Sequence, residues 1–294
     1  MDRLPTELLY IICSHISDGH STLRDCTSLL SRRWLKPARH YLFASLTARI
    51  DDSERPQILT HFLEPYPYLA THVRKLTMTT RWWPNIYDSC STTPPGVLLL
   101  LTHLPRLRIL HLKSISILPP EDQPLFPSIG GPRPHLDRLV LDDVSSGMIP
   151  LFSLISSFRA DHVDISWSPT LRVHSDDDDD AEELIPQGPI ENHMLPFEIR
   201  SLCLHFHLDT STAPFPPLVF DTLQRLLPRA TMRSFRYGVD GFVYDFPFLT
   251  PVMKNLSTTI TDLGISMGES RPMPPHSPSL TTLHQIALGQ KTRT

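Results

Sequence analysis

Leu107-Arg108-Ile109-Leu110-His111-Leu112 is the stretch that decides the fold. Apolar residues hold its first, fourth and sixth places, and the last two alternate with a polar residue as in a strand that buries one face. The apolar-x-x-apolar-x-apolar pattern returns at Val73/Leu76/Met78, Leu136/Leu139/Leu141, Ala160/Val163/Ile165, Ile199/Leu202/Leu204, Met232/Phe235/Tyr237 and Ile260/Leu263/Ile265. In a chain that is 40% apolar, three fixed places match by chance in roughly one window in sixteen, so the pattern alone decides little. Requiring Arg directly after the first apolar residue leaves about one or two chance matches by the same arithmetic. Five occur, at Arg39, Arg74, Arg108, Arg200 and Arg233.

The central apolar positions fall at 76, 110, 139, 163, 202, 235 and 263, a spacing that fits one strand plus one helix or loop. Helix-compatible apolar stretches lie between them: Ile58 to Leu69, Val97 to Leu104, Ile149 to Phe158, Phe220 to Leu227 and Phe246 to Leu256. The alternation predicts an α/β fold with parallel strands and helices on one side. Its irregular period favours a degenerate leucine-rich-repeat-like solenoid over a closed barrel or a doubly wound sheet. Most of the thirty prolines fall between the strand signatures, where a missing amide breaks no ladder.

A different pattern opens the chain. In Leu4-Pro5-Thr6-Glu7-Leu8 the proline and the carboxylate suit a first helical turn. Leu4, Leu8, Ile11, Ile12 and Ile16 then form an apolar stripe that needs a partner. Leu23, Cys26, Leu29 and Leu30 make a second apolar face, and Pro37 is expected to interrupt the helical pattern. A unit this small usually needs an outside surface for stability.

These residues, with Cys26 to Trp34 and Ala38 to Phe43, resemble an F-box motif, particularly of the fungal F-box proteins. The resemblance covers about one sixth of the chain and implies docking onto a Skp1-like adaptor and, through it, a cullin. Leu4, Pro5, Leu8, Ile12, Leu30 and Trp34 would then meet the adaptor or hold the helices together. The repeat region resembles, more loosely, the C-terminal part of many F-box proteins, although the Asn or Cys that usually follows the strand of a leucine-rich repeat is absent. The expected organisation is an F-box over 1–46, a helical linker or first-repeat helix over 47–72, and a repeat domain over 73–294. A disordered acidic insertion is expected over 172–192, where Asp176 to Asp180, Glu182 and Glu183 form a carboxylate block.

In a solenoid the residue between the last two apolar places faces the concave side, which puts Thr77, His111, Val140, Asp164, Cys203, Arg236 and Gly264 there. Trp82, Trp83, His111 and Arg236 are the candidate residues for an unknown protein substrate, since aromatic and Arg side chains dominate binding surfaces.

Composition narrows the chemistry. A net charge of −4 gives no general reason to expect nucleic acid or an anionic membrane as partner. Arg32, Arg33, Lys36 and Arg39 cluster, but read best as a solvated helix face or part of a docking surface. No apolar run is long enough to span a membrane. The four cysteines lack pairing or C-x-x-C spacing and suit reduced thiols in the cytoplasm or nucleus. His205 and His207 share a side of a strand without further metal ligands at zinc spacing, and the aspartate run lacks the ligand alternation of a calcium loop, so no cofactor or metal is expected. No nucleophile elbow, zinc-helix motif or phosphate loop occurs.

The expected function is therefore a non-catalytic substrate adaptor of a Skp1-cullin-F-box ubiquitin ligase. A leucine-rich-repeat interaction scaffold outside any ligase is the alternative, and an undetected hydrolase or transferase is the third reading.

Overall fold

The computed structural model describes residues 4–16, 32–50, 56–80, 91–119, 133–169, 197–207, 217–227, 231–240, 250–254 and 259–267. Within them lies one open sheet of ten strands, β1 (Ser45–Ile50), β2 (Lys75–Thr80), β3 (Ser91–Thr92), β4 (Ile109–Lys113), β5 (Ser116–Ile117), β6 (His135–Ser146), β7 (Arg159–Pro169), β8 (Glu198–His207), β9 (Ser234–Asp240) and β10 (Asp262–Met267). The long strands follow the order β1-β2-β4-β6-β7-β8-β9-β10, and each described pairing is parallel. The fold is thus α/β: α1 (Thr6–Ile16) and α2 (Arg32–Leu42) precede β1, α3 (Pro56–Leu63) and α4 (Pro67–Ala70) lie between β1 and β2, α5 (Pro94–Thr102) between β3 and β4, α6 (Met148–Ser156) between β6 and β7, and α7 (Pro217–Leu226) between β8 and β9.

The sequence triplets set the register. Leu76 pairs with Leu110, Leu110 with Leu139, Leu139 with Val163, Val163 with Leu202, Leu202 with Phe235 and Phe235 with Leu263. Two residues further on, Met78, Leu112, Leu141, Ile165, Leu204, Tyr237 and Ile265 make a second row. Both rows point into one core, where they meet Val97, Leu100 and Leu101 of α5, Leu151, Phe152 and Ile155 of α6, and Leu223 and Leu226 of α7. Phe152 lies edge-on to Phe197 at 5.8 Å and near Trp167 at 6.2 Å. The Trp167 indole N–H is satisfied by the Ser146 carbonyl at 2.9 Å, as a buried polar handle requires.

Two residues separate the first and second apolar places of each signature, and the backbone gives the reason. The amides of Arg74 and Lys75 both donate to the Ala44 carbonyl, those of Arg108 and Ile109 to Arg74, those of Asp137 and Arg138 to Arg108, and those of Thr261 and Asp262 to Arg233. At these four steps one carbonyl takes two donors from the start of the next strand, and this doubled step accommodates the extra residue. A second irregularity follows the Lys113–Asp142 pair that ends the β4–β6 ladder. Ser114 and Asp143 adopt φ values of 52° and 53°, with the Ser114 amide on the Asp142 carbonyl at 2.8 Å and its hydroxyl on Asp143 Oδ2 at 3.1 Å. Past this paired kink the ladder resumes as β3-β5-β6, with Ser116 and Ser145 hydroxyls 2.6 Å apart.

Three features differ from the sequence reading. The helical linker expected over 47–72 opens with a strand: β1 pairs with β2, Leu46 opposite Leu76 and Ala48 opposite Met78. Only Phe43 and Ala44 separate α2 from β1, so the sheet begins well before residue 73. Pro37 does not end its helix, since α2 runs through it. A mid-helix proline costs about 3 kcal/mol, and here Trp34 and Ala38, buried against α1 on either side of it, offset that cost. Arg39, the fifth match to the Arg-containing signature, lies on α2 rather than on a strand. The acidic stretch 172–192 lies outside the described residues.

Leu139, fully enclosed on the central strand β6, and Leu263, 37% exposed on the edge strand β10, hold equivalent places. Leu139→Ala is expected to cost about 3 kcal/mol of unfolding free energy and Leu263→Ala about 1 kcal/mol or less. Urea denaturation of the two variants checks this, and equal losses would contradict the one-sided sheet.

Candidate functional site

The first surface is built by α1 and α2. Amides of Leu8 and Leu9 reach the Pro5 carbonyl at 3.1 and 3.3 Å, so the chain is already turning at Pro5, whose own missing amide disturbs nothing. Leu9, Cys13, Trp34 and Ala38 form a small core of their own, with Leu4, Ile12, Tyr41 and Leu42 packed around it. Burial pushes the Cys13 thiol above its ordinary value, which leaves it a protonated apolar filler.

Of the six residues expected to meet an adaptor or hold the helices, Trp34 is buried in this core, and Leu4 and Ile12 are half-buried against it. Pro5 and Leu8 turn outward, and Leu30 lies outside the described residues. The outward face gains Ile11, three residues after Leu8; the two are 51% and 42% exposed respectively. Leu9, the inward residue nearest Pro5, was not part of the stripe read from sequence. Leu9 to Cys13 is an i, i+4 step that could have marked the inner face.

The second surface is the face of the sheet turned away from the helices. Its central row runs Thr47, Thr77, His111, Val140, Asp164, Cys203, Arg236, Gly264 by strand register. A flanking row runs Lys75, Ile109, Arg138, His162, Ser201, Ser234, Asp262, although Ser201 and Ser234 are adjacent across β8 and β9 only by the parallel ladder. Charges here pair across neighbouring strands. Arg138 places Nη2 2.6 Å and Nε 2.7 Å from Asp164 Oδ2, and Lys113 Nζ is 3.1 Å from Asp142 Oδ2. Solvent-exposed pairs of this kind contribute about 0.2–1 kcal/mol each, so they orient side chains more than they hold the fold.

Arg236 and His111 share the central row but stand four strand steps apart, about 19 Å at the usual interstrand spacing. They do not converge on one site. Trp82 and Trp83 lie outside the described residues. The His111 Nε2 atom is 3.7 Å from Asp142 Oδ2, too far for a hydrogen bond. Burial outweighs the pull of that carboxylate and holds the imidazole below its ordinary value, so His111 is neutral at pH 7 and its contact with Asp142 is no ion pair there.

Arg236 is better organised. Its Nη2 donates to Asp262 Oδ2 at 3.0 Å, and the Ser234 hydroxyl donates to the same oxygen at 3.0 Å. Gly264 makes room for this, because a Cβ there would lie 3.1 Å from Arg236 Cγ. The hydrogen bonds from Ser234 and Arg236 hold the Asp262 carboxyl below its usual range. Between Asp164 and Arg236 in the row sits Cys203, half-buried, its thiol raised by burial and then by the Asp164 charge.

Sequence reading missed the Arg138–Asp164 and Lys113–Asp142 pairs. The partners are 26 and 29 residues apart, and only the strand register brings them together. Among the described residues no three His, Cys, Asp or Glu side chains gather as a metal site, and no helix is long and apolar enough to cross a membrane. Comparison with protein families, with curated proteins and with solved structures gave no match.

Two titration outcomes follow from these surfaces. The depressed Asp262 value means the folded carboxyl loses its proton more readily than the unfolded one. Its stabilising contribution is therefore present above the ordinary value of 3.8 and lost as pH falls through the folded value. Carboxyl-carbon NMR should place Asp262 below 3.8 and Ser234→Ala should move it up; no movement would contradict the hydrogen-bond origin. His40, His72 and His111 are all held below 6.5, first of all by burial. The unfolded chain then binds more protons just below that pH, so stability should fall as pH drops through about 6.5 toward the folded values. Denaturant midpoints at pH 8 and pH 5.5 measure it, and a higher midpoint at the acid pH would contradict the assignment.

Proposed function

We propose that the chain is a non-catalytic substrate-recognition subunit of a Skp1-cullin-F-box ubiquitin ligase. In this reading residues 1–46 are the F-box, the sheet behind them is a degenerate leucine-rich-repeat domain, and a target protein is held on the repeat domain. The observation that carries it is the division of labour on α1. Leu9 and Cys13 hold the helix to Trp34 and Ala38, while Pro5, Leu8 and Ile11 face outward as an exposed apolar strip. An apolar strip on a short helix is the surface a partner helix or groove covers.

The immediate junction between α2 and β1 supports the same reading, because a ligase adaptor must hold its target at a fixed position relative to the docking helices. Catalysis would belong to the ligase partner.

Leu8→Asp/Ile11→Asp tests the reading without touching the helical core. Pull-down with a Skp1-type adaptor should recover the parent chain and lose at least about tenfold of it with the variant, the effect of roughly 1.4 kcal/mol or more. Failure of the parent chain to bind would sink the proposal. Target binding that survives deletion of residues 1–46, with no adaptor binding, would favour a scaffold outside any ligase.

A further inference from the structure

Charge is distributed unevenly along this sheet. The described residues between 32 and 119 carry ten Lys or Arg side chains and a single carboxylate, Glu64. Asp51, Asp52, Glu54 and Asp88 fall in stretches outside the described residues. The next described segment, 133–169, reverses the balance with three Arg against five Asp. The basic excess is concentrated where α2 meets the start of the sheet. His40 and His72 lie edge-to-face with ring centroids 5.7 Å apart. Lys36, Arg39, Arg74 and Arg106 surround them closely enough to act on their titration, and after burial every further influence on either ring is a cation or the other histidine.

The backbone fixes part of this cluster. The Arg74 carbonyl accepts the Arg108 amide at 2.8 Å, so the start of β2 and the turn that carries Arg106 lie side by side. Lys36, Arg39, Arg74 and Arg106 are exposed and make no ion pair with any described residue. His72 also has a buried Nδ1 without a hydrogen-bond partner. Like charges held this close repel one another at a cost that an anion would remove.

We infer that this patch docks a run of carboxylates, an Asp- or Glu-rich segment of a partner protein. The inference stands apart from the adaptor reading, since it uses neither Leu8 nor Ile11. Arg forks suit carboxylates and phosphates alike. Two observations favour a short acidic peptide over nucleic acid. The patch is bounded, because Arg108 already pairs with Asp137 at 3.5 Å and Asp142 and Asp143 follow on the same strand, where a continuing phosphate backbone would be repelled. The rings at its centre are also engaged with one another, Tyr10 with His40 at 5.7 Å and His40 with Tyr41 at 5.1 Å, both edge-on, rather than open as stacking platforms for bases.

The test uses the full chain and a fluorescent hepta-aspartate peptide, with a hepta-asparagine peptide and a thymidine oligonucleotide of equal charge as comparisons. Arg74→Gln/Arg106→Gln should weaken the aspartate peptide by about tenfold, a loss of two charge-assisted contacts. Arg200→Gln/Arg233→Gln, with the same change in net charge elsewhere on the sheet, should leave affinity within about twofold, and circular dichroism confirms that both variants fold. Equal weakening by both pairs would reduce the effect to net charge and overturn the proposal. So would tighter binding of the oligonucleotide than of the peptide. Peptide binding that appears only after Asp176 to Asp180 are all changed to Asn would assign the patch to the chain's own acidic block and overturn the assignment to a partner.

Discussion

Leu76, Leu110, Leu139, Val163, Leu202 and Phe235 stand opposite one another on successive parallel strands, each almost fully enclosed. The side-chain period of a strand is two, so a slip of one residue would turn apolar residues to water and bring residues of the row that holds Asp164 and Arg236 into the core. Burying one such side chain is worth about 1.5–3 kcal/mol, which is why the row holds the register at every strand. The helices need only cover that face. The opposite face is thereby left to polar residues, and its ion pairs follow from the register rather than create it.

The sequence disclosed the rows because strand periodicity and the Arg-containing signature survive in the text of the chain. It did not disclose β1, although Phe43/Leu46/Ala48 fits the same pattern. Ala48 is a weak apolar marker, and the resemblance of the preceding residues to a helical motif drew the boundary at 46. Pro37 misled in the opposite sense, since its local cost is outweighed by tertiary contacts on both sides of it. The inner face of α1 was ambiguous for another reason: Leu4, Leu8, Leu9, Ile11, Ile12 and Cys13 place apolar residues nearly all round the helix. Only the position of Trp34 and Ala38 on α2 selects Leu9 and Cys13 for the inside.

The surfaces were less legible than the core. His111 and Arg236 do face away from the helices, in one row, yet that row spreads them across the sheet and gives them different chemistry. His111 is a half-buried neutral ring, while Arg236 is an exposed cation steadied by Asp262 and Ser234. Cross-strand pairing of Arg138 with Asp164 depends on which strands are neighbours, and no local window contains that information. The basic junction around His40 and His72 is likewise assembled from α2, the turn before β2 and the turn before β4.

Fusion of the α1–α2 pair to the first strand, with an apolar strip left facing out, is what connects this fold to the adaptor reading. Hydrogen–deuterium exchange of the full chain, with and without a Skp1-type adaptor, tests that connection most directly. The account predicts added protection confined to residues 4–16 and adjoining parts of α2, with β6 to β8 unchanged. Protection on the sheet with none in α1, or no protection anywhere at saturating adaptor, would contradict it.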